Sequence, residues 1–349
     1  MEYRQLGRSD LMVSPLCLGS MLWGTLESEA EAHGQIDMAL AHSVNFIDTA
    51  ELYPVAPLSA ETQGRSEEII GTWFTNTNRR EDVILATKVA GPGNSNIPGR
   101  DGAGISPATI REAVENSLKR LQTDYIDLYQ LHWPNRPMYH FRGNWDYSDI
   151  QKDRTQTRDH MMECLQTLQK LVEEGKIRHI GTSNETCWGM GQYLDIASAN
   201  DLPRMVSIQN EYSLMCRHFD LDLAELGIKE DVGLLSYSPL AAGILSGKYQ
   251  GDVTPKGSRR NFSADIGGRL TSQTYPAVDA YLQIAHKHGL DICQMSLAWA
   301  MQRPFMASVI FGARTPEQLE NALKSADLHL SEAVLEDIQA AYRQHPMPF

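Results

Sequence analysis

Eight short apolar runs, each followed by a longer amphipathic stretch, constrain this chain more than any other feature. The runs cover 16–19, 45–48, 83–88, 125–132, 177–183, 205–209, 233–237 and 308–311, and they are rich in Val, Ile, Leu and Tyr. Their length and their bounding turn residues predict strands. The stretches between them have helical spacing. Over 106–121, Ser106 stands as cap and Pro107 at the first turn, with apolar side chains at Ile110, Val114, Leu118 and Leu121. Over 161–174, Leu165, Leu168, Leu171 and Val172 share one face, and Gly175 ends it. Helices are predicted likewise over 29–42, 66–74, 187–199, 219–226, 275–288 and 316–325, with a last one over 331–341 beyond the eighth unit.

Eight β-then-α units without a dividing linker predict one α/β domain over 1–349, a (β/α)8 TIM barrel. A β-hairpin over 2–6 and 12–14, turned at 7–10, precedes it, and the extra helix closes the chain. The rival arrangement, two doubly wound domains, would need a Pro/Gly/Ser linker or a charge block, and none divides the sequence. Four long segments, 53–65, 90–105, 134–158 and 240–274, all follow strands. In a barrel they gather at the C-terminal face, where active sites lie.

Charge narrows the partners. Lys plus Arg is 31 against 44 Asp plus Glu, a net charge of −13. A nucleic acid or an anionic membrane surface would on average be repelled. No apolar run reaches the roughly 18–20 residues of a bilayer span, and the mixed charges of the N-terminus do not read as a signal peptide. Five widely spaced cysteines without a CxxC pair read as reduced thiols in a cytoplasmic protein. No GxGxxG follows a strand, and 243–248 matches a phosphate loop only loosely. His286 and His288 sit at a helix end, where they complement the dipole, so no metal site is expected.

Three consecutive strands end in ionisable side chains: Asp48, Lys88 and His132, with Tyr53 five residues beyond Asp48. Each alone has an ordinary reading, as a loop cap, an interior ion-pair partner or a satisfied core histidine. Together at matching strand ends they point to chemistry, because burying unpaired charge is costly. The chemistry is proton transfer to a carbonyl oxygen. A tyrosine with an ordinary pKa near 10 is a reluctant donor, and a nearby ammonium is expected to lower that value. Asp48 would hold Lys88 charged, His132 would direct the carbonyl toward Tyr53, and a cofactor would supply hydride.

The segments NFIDTAELY (45–53), TK (87–88), LQTDYIDLYQLHWP (121–134), GKIRHIGTSN (175–184), SYSPLAAGILSGKY (236–249) and FGARTPEQL (311–319) resemble the aldo-keto reductases, in order, over nearly the whole chain. The long segment 51–71 is similar to that of the Tas-like branch of the family. The resemblance implies a (β/α)8 barrel that reduces aldehydes and ketones with NADPH, and a catalytic tetrad of Asp48, Tyr53, Lys88 and His132. It implies that Ser183, Asn184 and Gln209 hold the carboxamide of NADPH/NADP+ and that Tyr237 stacks on the nicotinamide. Ser238, Pro239, Leu240, Gly243, Leu245, Ser246 and Lys248 match a loop over the pyrophosphate. Gly312, Arg314, Gln318 and Asn321 match the adenosine end, where a guanidinium suits a 2′-phosphate and favours NADPH over NADH. Lys248, Arg259, Arg260 and Arg314 would make that region locally basic. Trp23 and Trp133 are expected to line the substrate pocket.

The chain departs from the family pattern at Pro54, where glycine is common, and at Ala322, where the adenine-binding Asn is common. Relatives of this fold also serve as nucleotide-sensing accessory subunits of potassium channels. A sensor with slow reductase chemistry is therefore the alternative reading. A third reading makes Lys88 a Schiff-base nucleophile. Apolar helix faces serve core and interface alike, so the oligomeric state stays open.

Overall fold

The computed structural model describes residues 1–148 and 153–349. Eight parallel strands form a closed barrel: β3 (Leu16–Gly19), β4 (Phe46–Asp48), β5 (Ile84–Val89), β6 (Ile126–Leu131), β7 (Ile177–Ser183), β8 (Met205–Glu211), β9 (Gly233–Tyr237) and β10 (Met306–Phe311). They are hydrogen-bonded in chain order, and β10 returns to β3. A short hairpin, β1 (Arg4–Gln5) and β2 (Met12–Val13), precedes them. Its Leu6, Leu11 and Val13 pack against Cys17, Phe46, Ala86, Leu128, Val206 and Leu235 of the barrel. The hairpin thus closes the N-terminal end with apolar side chains and leaves the other end for chemistry. Gly7 makes this fit, because its φ is +54° and a Cβ there would stand 2.3 Å from the Val206 carbonyl.

The helices are α1 (Glu29–Ala41), α2 (Arg65–Thr77), α3 (Pro107–Leu121), α4 (Arg154–Glu173), α5 (Cys187–Asn200), α6 (Leu223–Glu230), α7 (Thr274–Lys287), α8 (Ile292–Met301), α9 (Pro316–Leu323) and α10 (Glu332–Gln344). Sequence signals fix several starts. Ser28, Ser106 and Asp291 each cap the first turn with a side-chain oxygen. The inner faces of these helices and the outer faces of the strands share one large core.

Three expectations need correction. Asp153 caps α4, so that helix starts well before residue 161. In the sixth unit, residues 218–220 form a separate turn held by Arg217–Asp220 at 2.6 Å, and α6 runs Leu223–Glu230. The seventh unit holds two helices where one over 275–288 was expected. The second, α8, has the sequence ICQMSLAWAM and is buried nearly all round. It lacks the polar stripe by which an amphipathic helix is recognised. It is α8 that packs on β10, while α7 lies against α10 outside the ring. Lys287 Nζ and His288 Nε2 both bond Asp337 Oδ2, at 2.7 and 2.6 Å, and tie those outer helices together.

No helix among the described residues is long and apolar enough to cross a membrane. Among the same residues no group of three or more His, Cys, Asp or Glu side chains gathers to hold a metal.

Candidate active site

The barrel register brings the strand-end side chains together. Asp48 pairs with Ala86, and Lys88 with Gln130, in parallel ladders. Residues two apart on a strand face the same way, so Asp48, Lys88 and His132 all turn into the mouth. Lys88 Nζ donates to Asp48 Oδ2 at 2.6 Å and to the Thr49 carbonyl at 2.7 Å. The same ammonium lies 4.9 Å from the Tyr53 ring centre. The His132 ring meets Tyr53 edge-on, with centroids 5.9 Å apart. All four residues expected to act together are neighbours.

Burial decides the protonation states. It pushes the Tyr53 phenol above its ordinary range, and the Lys88 ammonium only partly opposes this. The expected lowering of Tyr53 is therefore corrected: the phenol is held protonated. Burial alone would lower Lys88, but Asp48 and Tyr53 outweigh it and keep the ammonium above the usual lysine range. A permanently charged amine is a poor Schiff-base nucleophile, which speaks against the third reading. His132 is pushed well below the ordinary histidine range by burial and by Lys88. Its Nδ1 is buried and has no hydrogen-bond partner among the described residues. It is a neutral imidazole.

Asp48 is itself held. Gln209 Nε2 donates to its Oδ1 at 2.8 Å and Gln130 Nε2 at 3.3 Å, and Gln209 also reaches Gln130 Oε1 at 3.2 Å. Sequence reasoning missed Gln130. The signal was present, since Gln130 lies two residues before His132 on the same strand face. Gln209 carries its amide nitrogen toward Asp48, not toward the groove. Ser183 Oγ donates to the Gln209 carbonyl at 2.8 Å. Asn184, in a left-handed conformation at φ +51°, donates through Nδ2 to the His132 carbonyl at 2.9 Å. The Tyr237 hydroxyl donates to Asn184 Oδ1 at 2.7 Å, which fixes the plane of a half-buried ring at the mouth.

The groove beyond Tyr237 fits a dinucleotide. Ser238, Ala241, Ala242 and Gly243 all have positive φ, and a tight turn runs over Ala241–Ser246. Gly243 has φ +93°, a conformation that favours glycine, and the Lys248 ammonium lies over it, 3.0 Å from where a Cβ would stand. Pro239 and Leu245 are buried. Leu245 belongs to the core and can face a ligand only through its backbone. Ser246 Oγ donates to the Gly243 carbonyl at 2.7 Å, bracing the turn.

At the far end, Gly312, Arg314 and Gln318 are exposed at the start of α9, and Gln318 Oε1 accepts from the Arg314 amide at 3.0 Å. The Arg314 guanidinium bonds the Gly257 carbonyl. Asn321 is engaged elsewhere, accepting from Gln294 at 2.6 Å and donating to Asp291 at 3.1 Å. Arg260 bonds Asp252 and the carbonyls of its own loop. Arg259 makes no ion pair among the described residues, and its guanidinium lies 3.9 Å from Met21 Sδ.

The two tryptophans part company. Trp133 lies at the mouth, its ring 4.8 Å from His132, with Nε1 on the Pro92 carbonyl at 3.0 Å. With Leu52, Tyr53, Val55, Ala90 and Ile97 it forms an apolar wall beside the tetrad. Trp23 is 1% exposed and sits in the main core, with Nε1 donating to Gln35 at 3.2 Å. The expectation that it lines the pocket is corrected. Following a strand at the correct face does not set side-chain direction once the chain turns toward α1. Of the expected rim segment 134–158, residues 149–152 lie outside the described residues.

A model of the aldo/keto reductase family matches residues 15–343. The chain is 44% identical to Protein tas of Escherichia coli (strain K12) over 349 residues, covering 100% of this chain and 99% of that protein. It is 33% identical over 337 residues to Uncharacterized oxidoreductase YrpG of Bacillus subtilis, covering 96% and 94%. It is also 28% identical over 354 residues to a Probable voltage-gated potassium channel subunit beta of Arabidopsis thaliana, covering 99% and 98%.

Proposed function

The chain belongs to the aldo/keto reductase family of nicotinamide-dependent oxidoreductases acting on carbonyl compounds, and on that premise we propose that it reduces aldehydes and ketones to alcohols with NADPH, Tyr53 being the proton donor. The observation that carries this reading is the buried contact of Lys88 with Asp48 beside Tyr53 and His132.

NADPH, when bound, supplies the hydride. The rest is done by side chains of this chain. His132, neutral, offers a ring N–H to the carbonyl oxygen and aims it at Tyr53. The Tyr53 hydroxyl then gives its proton to that oxygen as negative charge develops there. Lys88 stabilises the phenolate left behind, and Asp48 keeps Lys88 charged and in place. Trp133 and its apolar neighbours exclude water from the carbonyl. Tyr237 would support the nicotinamide face, Ser183 and Asn184 its carboxamide edge, and the 238–246 turn with Lys248 the pyrophosphate. Arg314, exposed beside Gln318, suits the 2′-phosphate. Reduced cysteines and the acidic charge suit work in the cytoplasm on small molecules.

Loss of absorbance at 340 nm with NADPH and an aromatic aldehyde tests the reading in wild type and Tyr53→Phe. A drop in kcat of about 10²–10⁴-fold in the variant, with NADPH binding retained, supports it. Equal rates remove Tyr53 from the mechanism. The similarity to a channel subunit supports a second reading, a nucleotide sensor. NADPH retained through a single slow turnover in wild type would favour it, and fast multiple turnover would exclude it.

A further inference from the structure

Glu27 is a buried carboxylate with nothing to hold it. It is 2% exposed, and neither Oε1 nor Oε2 has a hydrogen-bond partner among the described residues. Its backbone is fastened: the Gly24 amide donates to its carbonyl at 2.8 Å, and it bridges to Trp23. The loop from β3 therefore places the carboxylate where it is by construction. Its nearest cation is Arg314, with Nε 3.6 Å from Oε1, an ion pair without a hydrogen bond. Arg314 meanwhile bonds the Gly257 carbonyl and keeps part of its guanidinium in solvent.

A buried acceptor left unmatched is unfavourable and calls for an explanation. The one at hand is Arg314 itself. We propose that Glu27 is a specificity-determining residue that competes with the cofactor's 2′-phosphate for Arg314, and so restrains the preference of this chain for NADPH over NADH. The inference rests on reading this groove as the dinucleotide site.

Two effects of the carboxylate have the same sign. It attracts Arg314 away from an incoming phosphate, and its own charge repels the phosphate dianion. NADH carries a hydroxyl in place of that phosphate and draws on neither effect. Glu27 thus acts through Arg314 and not by touching the cofactor. A proton would end the competition. Burial pushes the Glu27 carboxyl up to about 7, against Arg314 and Arg259 and with the repulsion of Glu31. These are the charges that face it from the α9 start, the 253–274 segment and α1. The NADPH preference should therefore strengthen as pH falls through that value.

The test is the dissociation constant of NADPH and of NADH, read by quenching of protein fluorescence without turnover. The proteins are wild type, Glu27→Gln, Arg314→Ala and the double variant. Glu27→Gln is expected to tighten NADPH about fivefold, the scale of a partly screened ion pair, and to leave NADH unchanged. The effect should shrink in the Arg314→Ala background to the small part left by direct repulsion of the phosphate, because no guanidinium remains to compete for. The ratio of the two constants should shift with pH near 7 in wild type more than in Glu27→Gln. Equal shifts of both cofactors, weaker NADPH binding in Glu27→Gln, or an unchanged effect without Arg314 would each overturn the proposal while leaving the reductase reading intact. Failure of wild type to bind either cofactor would overturn both.

Discussion

Lys88 Nζ stands 2.6 Å from Asp48 Oδ2, with the two side chains 0% and 3% exposed. Removing one partner of such a pair strands the other charge in a dry interior. Asp48→Asn is therefore expected to destabilise the fold by about 3–5 kcal/mol, measured by denaturant unfolding, and to lower kcat through loss of the charged Lys88. The Gln209 and Gln130 amides that now donate to Oδ1 soften neither effect, since neither carries charge.

The pH profile of reduction follows from two burial effects. The proposed mechanism needs a protonated Tyr53, and burial raises the phenol above its ordinary value near 10, so no alkaline loss is expected below that. His132 is pushed well below 6.5, so it stays neutral as pH falls. Aldehyde kcat/KM at saturating NADPH should be level from about pH 6 to 9. A limb near 6.5 that disappears in His132→Ala would show that the imidazole titrates after all.

Glu51 joins two loops at the mouth. Arg100 reaches both its oxygens at 2.6 and 2.9 Å, and the Ala90 amide donates to Oε1 at 2.7 Å. Arg100→Ala leaves a buried carboxylate and should cost about 3–5 kcal/mol. Burial already raises Glu51 to about 6 against the pull of Arg100. A carboxyl raised in the folded state binds a proton more readily there than when unfolded. Lowering pH from about 8 to about 5 should therefore narrow the gap between variant and wild type. A gap that widens on acidification contradicts this.

Trp23 and Trp133 should separate stability from binding. Trp23→Ala opens a core cavity and is expected to lower stability by about 3–5 kcal/mol with little effect on the KM of the folded enzyme. Trp133→Ala should raise KM for aromatic aldehydes about tenfold, the scale of one lost aromatic contact, and change kcat less. Thermal melts and steady-state kinetics on both variants check the pair.

The tetrad was legible because parallel strands have a period of two and end on one face of a barrel. Their places at the ends of consecutive strands put Asp48, Lys88 and His132 within one mouth. The helix start at Ser106 was legible because capping is local chemistry. Helix α8 was not, because a helix buried on all sides has no polar face to mark its period. Trp23 misled for a related reason. Its side chain turns into the core after a strand end, and only the packing of α1 sets that direction.

The sequence by itself determined the eight strands and their order, the closed barrel they imply, and which ionisable groups meet at its mouth. Those follow from local periodicity and from short-range capping and turn chemistry. Only the tertiary structure decided how the groups are charged and to what they are tied. The raised Tyr53, the neutral His132, the Gln130–Asp48 contact and the unmatched Glu27 beside Arg314 all depend on burial and on distances between residues far apart in the chain. Desolvation and Coulomb energy are functions of three-dimensional position, and no spacing along a sequence encodes them.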